Sequence, residues 1–333
     1  MGIMKFLRVT ALFLIIALAV PFLASCRLTV IGDELEINIS VLNGTTGFGA
    51  ATLISDTING QSDLDYKFTV ESDASNITAG LINGSIDIAA LPTNAAANLY
   101  NKTGGKVKIA AVNTLGVLYL LTGEGVTVES IADLEGKTVY CPAQNPAFIF
   151  EAICRANGLI PNENITVDTG YAQPADLRAA LVTGAVDIAV LPEPMVTIAT
   201  SANSNLSVAL DLTAEWEKAY GEGTLMQGCI VVRTEWAEAH VKELAEFLAD
   251  YKASIEFTNA EPQKAAACIT GVGIFAGKDD VAARAIPNCN IVYIDGEEMA
   301  SSLEIFFQKL YTVNPAAVGG KTPDSNIYYI DND

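Results

Sequence analysis

Leu81-Ile-Asn-Gly-Ser-Ile-Asp-Ile-Ala-Ala-Leu-Pro92 returns one hundred residues later as Leu181-Val-Thr-Gly-Ala-Val-Asp-Ile-Ala-Val-Leu-Pro192. In both copies a helix-like run stops at a glycine, Gly84 and Gly184, where a residue without Cβ turns the chain at least cost. Ile86 to Ala90 and Val186 to Val190 are short, β-branched and apolar apart from Asp87 and Asp187. That is the composition of parallel strands covered on both faces. Pro92 and Pro192 close the strands, and a second helical run follows each, from Thr93 and from Glu193. Such βα loops lie at the carboxyl ends of parallel strands, where open α/β sheets bind their ligands. The duplication therefore predicts two similar α/β lobes, each offering one loop to a shared cleft.

Outward from the first copy, Glu36 to Leu42 alternates polar and apolar residues and reads as a strand. Asn43-Gly-Thr-Thr-Gly-Phe-Gly49 follows as a Gly-rich turn into a helix beginning near Ala50. It places backbone N–H groups and hydroxyls where a ligand can use them, although a plain tight turn has the same composition. Asp65 to Glu71 is a second strand, and Ala74 to Ile82 a helix. After the copy, Val107 to Val112 and Val117 to Leu121 are strands separated by Asn113-Thr-Leu-Gly116, which reads as a passage between lobes. Cys141-Pro-Ala-Gln-Asn-Pro146 is a loop with Asn145 as N-cap and Pro146 at the first helical position. Gly170-Tyr-Ala-Gln173 is another, after a strand from Ile165 to Thr169. Gln227 to Arg233 reads as a return strand. From Ala237 long helices take over, and a tail of this kind packs back on the first lobe. These boundaries assign residues 36–115 and 237–333 to one lobe and 116–236 to the other.

The 333 residues are half hydrophobic and only 17% charged, enough for one large or two medium globular domains. Lys5 and Arg8, an apolar run from Val9 to Phe22, and Leu23-Ala-Ser-Cys26 read as a secretion signal over residues 1–25. The apolar run is shorter than the about 20 residues that span a bilayer. The formal charge is −20, and −22 without residues 1–25, which hold two positive charges and no negative one. With no dense basic stretch, nucleic acid is excluded as a partner, and the acidity fits a surface that must stay soluble.

Of six cysteines, five remain after Cys26. None forms a C-x-x-C pair, so neither zinc nor a redox motif is expected. An odd number leaves a free thiol or one paired between chains. Cys268 and Cys289 bracket the Gly-rich segment from Gly271 to Gly277 and are the candidate disulfide. Catalysis finds no support: the one histidine, His240, reads as a solvent-facing helix residue, and no G-x-S-x-G or H-E-x-x-H is present. Asn314-Pro-Ala-Ala-Val-Gly-Gly-Lys-Thr322 ends like a phosphate loop, but Pro315 stands where its first glycine belongs. No cofactor is expected.

Leu-Ala-Ser-Cys26 resembles a bacterial lipobox, which would make Cys26 the lipidated first residue of the mature chain. With Gly84-Ser-Ile-Asp-Ile-Ala, Ser130-x-x-Asp-Leu-x-Gly-Lys-x-Val139, Gly184-Ala-Val-Asp-Ile-Ala and Asn314-Pro-x-x-Val-Gly-Gly-Lys321, the mature chain resembles the solute-binding lipoproteins of ABC importers. More narrowly it resembles the branch that binds sulfonates, nitrate and the thiamine pyrimidine precursor. The resemblance implies a type II periplasmic-binding fold, two lobes joined by two crossings, here near Asn113–Gly116 and Arg233–Ala237. It also implies a monomer that delivers a small solute to an ABC permease, lipid-anchored outside the cytoplasm. A sensory or adhesive lipoprotein would share the fold. Fungal pyrimidine-precursor synthases do too, but their catalytic histidine and cysteine-rich iron site have no counterpart here.

The loops of the expected cleft supply Asn43, Thr45, Thr46, Asn94, Asn113, Thr114, Gln144, Asn145 and Gln227, with Phe48, Phe148 and Tyr171 able to stack on a ring. None is basic. Asp87 and Asp187 read as structural anchors. Glu193 either decorates a helix N-terminus or faces the cleft as an acceptor. An ionised carboxylate about 4 Å from an anion would cost roughly 4 kcal/mol at an effective dielectric constant of 20. A cleft-facing Glu193 thus selects a neutral or cationic ligand with N–H donors, such as a pyrimidine-like heterocycle, over a sulfonate or nitrate.

Overall fold

The computed structural model describes residues 35–330; the expected leader and Cys26 lie outside the described residues. The first group of elements is β1 (Glu36–Leu42), α1 (Thr45–Phe48), α2 (Ala51–Ile58), β2 (Asp65–Glu71), α3 (Ala74–Asn83), β3 (Ile88–Pro92), α4 (Thr93–Thr103) and β4 (Val107–Thr114). The second is β5 (Leu118–Thr122), β6 (Thr138–Tyr140), α5 (Asn145–Ala156), β7 (Thr166–Asp168), α6 (Pro174–Val182), β8 (Ile188–Pro192), α7 (Met195–Ala202), β9 (Ser207–Asp211) and α8 (Leu212–Tyr220). The chain closes with β10 (Gly228–Arg233), α9 (Thr234–Ala239), α10 (Val241–Ala260), α11 (Pro262–Gly271), α12 (Asp279–Ala285), β11 (Ile291–Ile294) and α13 (Gly296–Val313).

Two mixed sheets result, ordered β11-β4-β10-β3-β1-β2 and β7-β6-β8-β5-β9. The repeat strands β3 and β8 lie in different sheets, and their surroundings match. Each has a parallel neighbour from its own half of the chain, β1 for β3 and β6 for β8. On its other side each has an antiparallel strand that has just arrived from the other half: β10 beside β3, with Gly228 opposite Pro92, and β5 beside β8, with Leu118 opposite Pro192. The glycine stops hold as well. Gly84 caps α3 at φ 84°, and Gly184 has φ 73° after α6.

The second lobe is shorter than its expected span of 116–236. β10 lies in the first sheet, between β3 and β4, so the return crossing runs through residues 221–227 and not through Arg233–Ala237. Cys229, Ile230, Val231 and Val232 are all buried, because a central strand is covered on both faces. Apolar composition reports that burial but not which sheet provides it. The expected Cys268–Cys289 disulfide is also absent, both residues being free thiols. The Cys289 thiol instead donates to the Ala285 carbonyl at 3.1 Å.

Side chains alternate along the strands and sort into three cores. Ile88 and Ala90 of β3 face a core with α1, α2 and α9 to α12, while Ala89 and Leu91 face a second core on the opposite side. That second core continues into the other lobe through Leu118 and Leu120 of β5, Val190 of β8, and α5. Leu121 and Leu191 point the other way, into a third core with α6 and α7. The helical tail packs on the first lobe through α10 to α12 as expected, but α13 joins the shared core. Phe306 of α13 meets Trp216 of α8 with ring centroids 5.5 Å apart, and the Lys309 ammonium sits 4.8 Å from the Tyr220 ring centre. Among the described residues no helix is long and apolar enough to cross a membrane.

Candidate functional site

The repeated Leu-Pro-X ends of β3 and β8 dock on the two crossings in the same way. The residue after each proline donates its backbone N–H to a crossing carbonyl: Thr93 to Gln227 at 3.1 Å, and Glu193 to Val117 at 2.9 Å. The crossings are tied to each other, since the Gln227 Oε1 accepts from the Val117 N–H at 2.7 Å and the Gln227 N–H donates to the Thr114 carbonyl at 3.0 Å. The Thr93 hydroxyl adds a bond to the Met226 carbonyl at 2.6 Å. The carboxyl ends of both repeat strands thus converge on one junction.

Around it the expected site residues divide. Several have their polar groups taken by the protein. Asn113 is buried, its amide donating to the Thr46 carbonyl and the Tyr251 hydroxyl, both at 2.9 Å, while its oxygen accepts from Thr114 at 3.1 Å. Gln227 is the crossing tie just described. Phe48, expected to stack on a ligand, is completely buried and lies edge-on to Phe275 at 6.3 Å. It faces the core because α1 is a single turn whose remaining side chains are small or polar, so its one large apolar group is the one worth burying.

Glu193 is also internal. It is 3% exposed, and its carboxylate accepts from the Thr197 N–H at 3.1 Å and the Thr197 hydroxyl at 3.0 Å, closing the first turn of α7. Burial raises its pKa above the usual carboxylate range, while hydrogen bonds from Thr197 and from the Asn288 side chain pull the other way. Of the two sequence readings of Glu193, the helix-start role is the one its bonds fill.

Asn94 and Asn145 differ from these. Each stands at a helix start, of α4 in the first lobe and α5 in the second, and each side-chain oxygen is buried without a donor. Thr45 is nearly buried, Thr46 half-buried, and Asn43 and Gln144 exposed, with Gln144 at φ 66°. Tyr171 is half-buried and lies edge-on to Tyr140 at 6.0 Å. Sequence reasoning missed Thr197, Tyr119 and Asn288. The first was within reach, as an acceptor at the helix start with a hydroxyl four residues on. The other two meet only through the fold, the Tyr119 hydroxyl donating to the Asn288 carbonyl at 3.1 Å. Among the described residues no group of three His, Cys, Asp or Glu is placed to hold a metal.

A family model described as NMT1/THI5 like matches residues 60–265. The chain belongs to this NMT1/THI5-like family. Among solved structures it is similar to an ABC transporter protein from Parabacteroides distasonis, at 24% identity and a TM-score of 0.76, covering 90% of this chain and 100% of that one. It is similar to the periplasmic aliphatic sulphonate binding protein SsuA of Escherichia coli, at 17% identity and 0.71, covering 88% and 92%. The periplasmic nitrate-binding protein NrtA of Synechocystis PCC 6803 matches at 12% and 0.56, over 75% and 69%. None of the curated proteins matches. At these identities the likeness is one of fold, and this NMT1/THI5-like chain has the two-lobed type II periplasmic-binding architecture.

Proposed function

We propose that the protein is the extracytoplasmic solute-binding component of an ABC importer, lipid-anchored through Cys26, and that it binds a small solute between its lobes without transforming it. Family membership, a fold similar to that of sulfonate- and nitrate-binding proteins, and the convergence of both repeat ends on one junction support this reading. The lobes are residues 36–114 with 228–330, and 118–220.

The solute is neutral or cationic and carries N–H donors, as a pyrimidine-like heterocycle does. The observation that carries this is the pair of buried oxygens of Asn94 and Asn145, one per lobe, with no donor of their own. A buried acceptor left unpaired costs about 1–3 kcal/mol. A solute donating to both recovers that cost, and a nitrate or an unsubstituted alkanesulfonate, which has only acceptors, cannot. Half-buried Phe148 and Tyr171 are the aromatic groups available for stacking in place of Phe48.

Mass spectrometry of the solute that co-purifies with the protein, followed by calorimetry, tests the reading. Asn94→Ala and Asn145→Ala should each weaken binding about tenfold, as loss of one hydrogen bond worth about 1.4 kcal/mol would. Tight binding of a sulfonate or nitrate that is indifferent to both variants overturns the ligand class. Uptake of the identified solute that persists after the gene is deleted overturns the transport role and favours a sensory or adhesive lipoprotein. Turnover of the bound compound overturns binding without chemistry.

A further inference from the structure

The junction between the lobes differs on its two sides. On one side the apolar core is continuous: Leu118 and Leu120 of β5, Ala89 and Leu91 of β3, and Met299, Leu303, Phe306 and Leu310 of α13 belong to a single buried cluster. On the other side the lobes keep separate cores, with Ile198 of α7 packed against the rim of the first lobe's core, and polar groups make the remaining contacts. There the Tyr119 hydroxyl donates to the Asn288 carbonyl at 3.1 Å, and the Arg284 guanidinium donates to the Ser201 hydroxyl at 3.2 Å. The Asn288 side chain lies near enough to the Glu193 carboxylate to lower its pKa. Two residues beyond Asn288 the same stretch grips the first crossing: the Asn290 amide donates to the Gly116 carbonyl at 2.5 Å, and its carbonyl accepts from the Leu115 N–H at 3.0 Å.

We infer that residues 284–290 form a clasp between the lobes, and that the protein opens on this side by releasing Arg284 and Asn288 while pivoting about α13. Parting the α13 side would expose a continuous apolar core, which is unfavourable in proportion to the area wetted. Parting the clasp side uncovers one partly buried apolar side chain, Ile198, and exchanges a few protein hydrogen bonds for bonds to water, a smaller cost than wetting the continuous core. The opening direction follows from that difference. Because Asn288 and Asn290 belong to one short stretch, movement at the crossing is transmitted directly to the clasp. The inference adds a direction of motion to the proposed solute-binding role and holds whichever solute is bound.

The experiment needs no ligand. In a Cys268→Ser background, spin labels at Lys278 and Ser204 report the clasp side, and labels at Ser301 and Ala156 report the α13 side. Combining Tyr119→Phe, Arg284→Ala and Asn288→Ala should shift the Lys278–Ser204 distribution to longer distances and leave Ser301–Ala156 unchanged. Arg284→Ala alone alters an exposed side chain, so it folds even if the combined variant does not, and it should shift the same pair in the same direction. Unchanged distances in the folded variants, or lengthening on the α13 side instead, overturn the clasp. A failure to find any bound solute would leave this result standing and count only against the proposed function.

Discussion

Thr93 and Glu193, one hundred residues apart, make the same contact: each donates its backbone N–H to a carbonyl of a crossing segment, Gln227 and Val117 respectively. The two acceptors are themselves joined through the Gln227 side chain. Gln227→Ala would leave the buried Val117 N–H without an acceptor and should lower stability by about 1–3 kcal/mol. Gln227→Glu keeps an acceptor but buries an unpaired carboxylate and should lower it more at neutral pH. Urea unfolding midpoints of the two variants, compared with wild type, decide the order.

Glu193 links stability to pH with a defined sign. Its folded pKa is raised, chiefly by burial, above the about 4.3 of an unfolded glutamate. Between those values the folded state binds more protons than the unfolded state, so the Glu193 contribution falls as pH rises through that window. Glu193→Gln should remove this component: the stability of wild type minus that of the variant should decline from pH 4 upward and level off above the folded pKa. Thermal unfolding of both proteins across the range reads it out, and a difference that rises with pH would contradict the buried placement.

The duplicated aspartates should not behave alike. Asp87 is buried, accepts from the Asn38 N–H at 3.0 Å and pairs with the Arg233 guanidinium at 2.9 Å. Asp187 is exposed, and its contact to Gly123 uses only the backbone carbonyl. Asp87→Ala strands a partly buried guanidinium and should cost about 3 kcal/mol. Asp187→Ala should stay within about 0.5 kcal/mol. Equal shifts in unfolding midpoint would show that the repeat is also an energetic repeat.

Thiol chemistry distinguishes the free-cysteine arrangement from the disulfide that the spacing of Cys268 and Cys289 led us to expect. Cys268 is half-buried, whereas Cys141, Cys154, Cys229 and Cys289 are buried. Burial also raises the thiol pKa of all four, that of Cys154 to about 12. Brief maleimide treatment of the native protein should therefore label Cys268 alone, and denaturation without reductant should expose all five. Mass spectrometry showing Cys268 and Cys289 unreactive until reduced would restore the disulfide.

The repeat itself was enough to establish the two-lobed α/β plan. A Gly stop, an apolar β-branched strand and a closing proline are local signals, each set by backbone sterics or by side-chain periodicity. β1 and β2 were readable for the same reason, as runs with a period of two. The sheet that receives β10 was not readable, because strand pairing is chosen among distant edges that present similar apolar faces. The inward turn of Phe48, the use of Asn113 and Gln227 as internal ties, and the pairing of Asp87 with Arg233 were hidden likewise. Each depends on which groups the fold brings within hydrogen-bonding or van der Waals reach, and composition gives no such distance. The sequence showed that Glu193 begins a helix, and only the fold decided that its carboxylate turns inward, where the hydrogen bonds from Thr197 offset part of the cost of burying it.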